Sequence, residues 1–226
     1  MPKVTEEYTE EKKNQIMDVA ADLIKEIPLY KITMRDVIKR IGYSQGMVYR
    51  YYKGVDEIFL DLINREIKEI DVQSKVDQCL QEQMSENEII RKLFLLLGDY
   101  ILAVQKKIGG KCYYEILVTY AFDETKQKEL LPRLLIKQNL MYIQSHIIQY
   151  ILKKEEEGVF TLDTPIEQLA VYVGDTIDGI SNHAALMGNG NIDSIREEIM
   201  QLYRMVGEYV ITKLTSKGKG KIEDVG

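Results

Sequence analysis

Two helix starts and one helix stop are written into the stretch ITMRDVIKRIGYSQGMVYRYYK at residues 32–53. Thr33 followed three residues later by Asp36 resembles a capping box, with Asp in place of the usual Glu or Gln. Val37, Ile38 and Ile41 give the helix an apolar side and Gly42 ends it. Ser44 then serves as N-cap of a third helix running to about Tyr52. Two short helices joined by three linking residues have the spacing of a helix-turn-helix. Before them, Ile16, Ala20, Leu23 and Ile27 recur at helical spacing over roughly 9–27, and Pro28 stops that helix. After them, Gly54 breaks the chain and 55–69 reads as a fourth helix.

Helical patterning continues to the end, with no sustained alternation of period two. Asp71 to Gln78 reads as a polar bridge. Ser85 and Glu88 open a long apolar helix, Gly109 and Gly110 interrupt the chain before KCYYEILVTYAF, and a further helix runs from about Lys126 to Glu157 with a kink at Pro132. Thr164, Pro165 and Glu167 give the next helix an N-cap, a first-turn proline and a closing acid. Its partner spans about 193–214, after the turn MGNGN. The expected fold is therefore all-α, with a helix-turn-helix domain at 1–54, a larger helical body at 55–215 and a polar, disordered tail at 216–226.

The chain has 226 residues, 45% hydrophobic and 29% charged, which suits a folded protein with a real core. Its longest apolar run, 93–104, is short for a membrane span and contains Asp99. Cys79 and Cys112 form no ligand spacing, and neither a signal peptide nor a membrane segment is evident, so the expectation is a reduced, cytoplasmic protein.

Net charge is −6, yet residues 31–53 hold six basic side chains against the single acid Asp36, giving this window +5 and the remainder −11. Such a patch on an acidic body suits contact with a polyanion through one module; a solvated basic face is the plainer alternative. On the third helix Val48 and Tyr52 are four apart and share an inward face. Gln45, Met47, Tyr49, Arg50 and Tyr51 are left outside. Gln45 carries an amide suited to adenine, and Arg35 a fork suited to guanine. Tyrosine hydroxyls, Lys53 and the helix start near Ser44 suit phosphate oxygens, and Gly46 allows close backbone approach.

IMDVAADLI at 16–24, the 32–53 stretch and DEIF at 56–59 together resemble the DNA-binding domain of the TetR/AcrR family of bacterial transcriptional regulators. The resemblance implies that Arg35, Gln45, Gly46 and Tyr49 approach bases, and that Thr33, Ser44, Met47, Tyr51 and Lys53 approach the DNA backbone. Val55 stands where the family usually opens the fourth helix with a lysine, and Met47 lacks the hydroxyl often found at its position. The implied function is a DNA-binding regulator, a homodimeric repressor released from a double-stranded operator by a small, largely apolar effector, with no cofactor, no metal and no catalysis.

For the effector, the ring-rich middle helices offer Tyr100, Tyr113, Tyr114, Tyr120, Tyr142, His146 and Tyr172, with Asp175. Each aromatic is more often core than ligand contact. Asp175 and Asp178, one turn apart, raise the idea of a cationic, lipophilic effector. For the dimer, Ile177, Ile180, Ala184 and Ala185 form one stripe and Ile199, Leu202, Val206 and Val210 another; intrachain core is the alternative. Two rival functions remain: a protein-binding helical module with a vestigial helix-turn-helix, and an enzyme using Cys112 with His146 or His183. No local signature surrounds that cysteine.

Overall fold

The computed structural model describes residues 5–188 and 191–216; the expected tail, apart from Ser216, and the middle of the MGNGN turn lie outside them. The chain divides into two compact units, one of residues 1–70 and 104–138, the other of 71–103 and 139–226.

In the first unit, α1 (Glu6–Glu26) is capped by Thr5, whose hydroxyl accepts from the Tyr8 amide at 3.3 Å. Its buried side, Ile16, Met17, Ala20, Leu23 and Ile24, repeats at three- and four-residue spacing. It packs against α2 (Met34–Ile41) and α4 (Val55–Ile67), with the short α3 (Gln45–Tyr49) between these in sequence. A 3₁₀ turn at Leu29–Lys31 links α1 to α2. α4 buries Ile58, Phe59, Leu60, Leu62, Ile63 and Ile67, more than one helix face, because α1 and α7 (Ile108–Thr119) both pack on it. The glycines expected to interrupt the chain lie instead in the first turn of α7. A Cβ on Gly110 would come within 2.1 Å of the Val104 carbonyl oxygen, so the residue is needed for a close turn.

The expected helix from Lys126 to Glu157 is broken rather than kinked. α8 (Glu124–Glu129) gives way to a 3₁₀ turn at Leu131–Arg133 containing Pro132, and α9 begins afresh (Leu135–Glu156). Asn64 of α4 secures that restart, donating to the Arg133 carbonyl at 3.0 Å and accepting from the Leu135 amide at 2.8 Å.

The second unit holds α5 (Gln73–Gln81), where a bridge was expected, most of α6 (Glu86–Gln105) and α9, α10 (Ile166–Gly188) and α11 (Arg196–Thr212). The Ser85 capping box forms: Glu88 accepts from the Ser85 amide at 3.0 Å, and its own amide donates back at 3.4 Å. Pro165 stands just before α10, its carbonyl accepting from the Leu169 amide, one position short of the expected place. Two three-residue strands, β1 (Phe160–Leu162) and β2 (Leu214–Ser216), pair antiparallel in the otherwise helical fold, with Phe160 opposite Ser216. They are too short to leave a period-two signature, so Ser216 belongs to a strand and not to the tail.

α6 and α11 meet antiparallel through reciprocal contacts. A Cβ on Gly98 would lie 2.8 Å from the Tyr203 ring, and one on Gly207 would lie 3.3 Å from Phe94. Each helix thus presents an aromatic ring to a glycine of the other, four residues beyond its own ring. Gly98→Ala is expected to destabilise the protein by about 1–3 kcal/mol through overpacking against a fully buried ring, and Gly207→Ala by less; urea unfolding measures both.

Candidate nucleic-acid interface and apolar cavity

The helix-turn-helix forms from local signals. Asp36 donates its amide to the Thr33 hydroxyl at 3.3 Å, and its carboxylate accepts the Thr33 amide at 2.9 Å and hydroxyl at 2.6 Å. Those bonds hold the Asp36 pKa below the ordinary carboxylate range. They also use the Thr33 amide and hydroxyl hydrogens, which leaves neither for a phosphate. Gly42 ends α2 at φ +75°, a conformation that favours glycine. The Ser44 oxygen accepts from the Met47 amide at 3.3 Å, so its own hydrogen stays available.

α3 is shorter than expected, ending at Tyr49, but its inward pair is as read: Val48 is 0% and Tyr52 2% exposed. The Tyr52 hydroxyl donates to Asp61 of α4 at 3.1 Å, and Lys13 of α1 pairs with the same carboxylate at 3.1 Å. Burial first, then the Asp61 charge, pushes the Tyr52 pKa far above the ordinary phenol range, so it remains a donor. Arg35, Ser44, Gln45, Gly46, Tyr49, Arg50 and Lys53 are exposed, with Met47 and Tyr51 half-buried beside them.

The basic window divides. Arg40 is held by Glu26 in a bidentate pair at 3.0 and 2.6 Å. Lys31, Arg35, Lys39, Arg50 and Lys53 make no salt bridge among the described residues, although Lys39 and Arg35 lie near enough to Asp36 to help hold its pKa down. At the start of α4, Val55 is followed by Asp56 and Glu57; Glu57 accepts from the Lys53 amide at 2.8 Å, and Asp56 is taken by Lys126 at 3.1 Å and by the Tyr120 hydroxyl.

Residues 16–62, from α1 into α4, match the model of the bacterial regulatory proteins of the tetR family. The HTH-type transcriptional regulator YfiR of Bacillus subtilis (strain 168), itself described as uncharacterized, is 26% identical over 191 residues, 81% of this chain and 84% of that protein. Among solved structures, a TetR transcription regulator from Haloarcula marismortui matches 91% of this chain and 100% of its own with a TM-score of 0.60 at 18% identity. SmeT, the repressor of the Stenotrophomonas maltophilia multidrug efflux pump SmeDEF, matches 94% and 96% with a TM-score of 0.57 at 13% identity. Residues 16–62 thus carry the match to the tetR-family regulators, and the whole chain shares the fold of such regulators. It is a DNA-binding transcriptional regulator.

The second unit contains a 390 Å³ cavity walled by α6, α9, α10 and α11. Aliphatic side chains dominate it, with Phe94 the one aromatic, Gln144 the one neutral polar side chain, and Asp175 and Asp178 at an exposed edge. Of the eight side chains singled out for an effector, only Asp175 lines it. Tyr100 is core, its hydroxyl accepting from Asn139 at 3.1 Å. Tyr113 and Tyr114 meet edge-to-face in the first unit, as does Tyr120 with Asp56 by hydrogen bond. Tyr142 donates to Asp77 at 2.5 Å and stacks on His146, and Tyr172 stacks on Tyr209. Polar-tipped rings satisfied their hydroxyls elsewhere, and aliphatic residues such as Ile147, Ile148 and Leu169 were left to wall the cavity. Their helical spacing is that of any core face, so the sequence carries no signal separating them.

The dimer stripes are corrected likewise. Ile180, Ala184, Ile199, Val206 and Val210 are buried in the chain's own core, and Ile177 lines the cavity. Ala185 and Leu202 are half-buried. The apolar groups left outward on these helices are Val171, Tyr172, Leu186 and Met187 of α10 and Met205 of α11. Cys112, the imagined nucleophile, is fully buried, and burial followed by the Glu115 charge pushes its pKa up to about 12, the state of an inert thiol. Among the described residues no cluster of His, Cys, Asp or Glu is placed to hold a metal, and no helix is long and apolar enough to cross a membrane.

Tyr52→Phe deletes only the bond to Asp61 and is expected to cost about 1 kcal/mol of stability, whereas Tyr49→Ala, on the exposed side, should change it by less than about 0.5 kcal/mol. Thermal or urea unfolding of the two variants checks the inward and outward assignment.

Proposed function

We propose that the protein is a cytoplasmic homodimeric repressor, with residues 1–54 as the operator-reading part and 55–215 as the effector-binding and dimerising body, acting by binding rather than by catalysis. The observation that carries this is the sorting of residues 33–53: Val48 and Tyr52 anchor the recognition helix, while Arg35, Gln45 and Tyr49 face outward among five cations that make no salt bridge among the described residues. Arg35 fits the paired acceptors of a guanine edge and Gln45 the donor and acceptor of adenine. Tyr49, Tyr51, Arg50 and Lys53, with the Ser44 hydroxyl, address the backbone, Gly46 admits close approach and Met47 makes an apolar contact. Thr33 serves by capping α2.

One such module is small for high specificity, and two-fold pairing supplies two half-sites. Leu186, 78% exposed, with Met187 next to it in α10 and Met205 exposed on α11, offers apolar surface that a second copy would cover. The cavity lies within the roughly 300–1,000 Å³ typical of small-molecule sites and is walled mainly by hydrocarbon, which suits a largely apolar effector. An effector releases operator only to the extent that it binds the DNA-free spacing of the two recognition helices more tightly. SmeT, a repressor tied to a multidrug efflux pump, points the same way.

Fluorescence anisotropy on DNA upstream of the protein's own gene tests the interface. Arg35→Ala should weaken specific binding by about 1–3 kcal/mol and relax discrimination at one base pair, and Lys53→Ala should lower the log K against log salt slope by about 1. Intact binding in Arg35→Ala and Tyr49→Ala would overturn the assignment. For the assembly, Leu186→Glu with Met205→Glu should give monomers by light scattering and loss of operator affinity, while an unchanged dimer would place the interface elsewhere.

A further inference from the structure

The cavity of the second unit has a sign as well as a size. Thirteen of its seventeen lining residues are hydrocarbon, and none is Lys, Arg or His. Its polarity runs in one direction. Phe94, Ile151, Leu169 and Val210 are buried around it, whereas Asp175 and Asp178, one turn apart on α10, are exposed and so stand at its mouth. α10 has no lysine or arginine anywhere along its 23 residues.

Neither carboxylate has an ion pair or hydrogen bond among the described residues. Several other carboxylates of the chain are engaged: Asp61 by Lys13, Asp56 by Lys126, Asp99 by Arg196 and Glu208 by Arg91. Although its side chain reaches solvent, partial desolvation of the Asp178 carboxyl beside the apolar wall raises its pKa, and the Asp175 charge adds to the shift. Two like charges on an apolar rim, with no cation supplied by the protein, leave a deficit that a ligand can fill. An anionic amphiphile would face both carboxylates without a counter-charge. The tyrosines that could form an aromatic cage lie outside the cavity, so recognition of charge here falls to the two acids.

We propose that this cavity takes an amphiphilic cation, an amine or quaternary ammonium on a hydrocarbon frame, with its charge at Asp175 and Asp178 and its apolar body among Phe94, Ile151 and Leu169. The inference rests on the cavity being the effector site and names the chemical class of that effector.

Calorimetric titration of the full chain with decyltrimethylammonium, 1-decanol and decanoate, below their micelle concentrations and at one ionic strength, tests the class with chain length held constant. Decyltrimethylammonium should bind at least about tenfold more tightly than decanol, and decanoate more weakly than decanol. In the isosteric double variant Asp175→Asn, Asp178→Asn the preference for the cation should vanish, while decanol binding persists as evidence that the cavity is intact. Equal affinity for cation and alcohol, tighter binding of decanoate, or a preference that survives the double substitution would overturn the proposal. Operator release, followed separately, distinguishes the two levels. If the cation binds as expected but DNA is retained, the ligand class stands and the effector reading falls. If decanoate rather than the cation releases DNA, the effector reading stands and the cation class falls.

Discussion

The hydrogen bond from the Tyr52 hydroxyl to Asp61 is the constraint on which the DNA-reading geometry depends. α3 has five residues and cannot hold itself as a helix in water. Its orientation comes from Val48 and Tyr52 entering the core, and Asp61 fixes the phenol while also pairing with Lys13. One carboxylate thereby ties α1 and α4 to the end of the recognition helix. Because four residues separate Val48 from Tyr52, anchoring that face leaves Gln45 and Tyr49 no place but outside.

Electrostatics sharpen the same surface. The net negative charge of the chain conceals a basic window, and the structure refines that window by withdrawing Arg40 into a pair with Glu26. The five remaining cations make no salt bridge among the described residues, and Asp36 lies close enough to Arg35 and Lys39 to feel their charge, so most of their counter-charge comes from solution or from phosphate. At the start of α4 the arrangement differs. Val55 supplies no charge, and the acids of that turn are engaged internally, Asp56 by Lys126 and Tyr120, Glu57 by the Lys53 amide. Cations that make no salt bridge among the described residues accordingly cluster between Lys31 and Lys53.

What the sequence made legible was local. The caps at Thr33, Ser44 and Ser85 and the stop at Gly42 each depend on residues within one turn, and each forms as read. The inward pair of α3 was legible for the same reason. The expected effector tyrosines lie outside the cavity and most of the expected dimer stripes face the chain's own core, because periodicity reports that a helix has an apolar face but not what covers it. Ile180 and Ala184 face their own core, and Tyr100 spends its hydroxyl on Asn139. α5 was hidden by its polarity, and the two strands by their brevity. Asp175 and Asp178 were visible as a pair of like charges, but only the fold sets them at the rim of a cavity.

That cavity is coupled to the packing that supports it. Phe94 forms part of its wall and also fills the space against Gly207 of α11, where even a methyl group would approach to 3.3 Å. Four residues on, Gly98 admits the Tyr203 ring with still less room. Close-packed interiors do not yield gradually, so a ligand that moves the Phe94 ring must either shift α11 along α6 or be refused. α11 also carries Met205 on its outward side. On the proposed reading, in which the cavity holds the effector and the outward side of α11 meets a second subunit, the glycine–aromatic contacts are where occupancy of the cavity would become displacement of α11, and differential affinity for the two arrangements is the quantity an effector must supply.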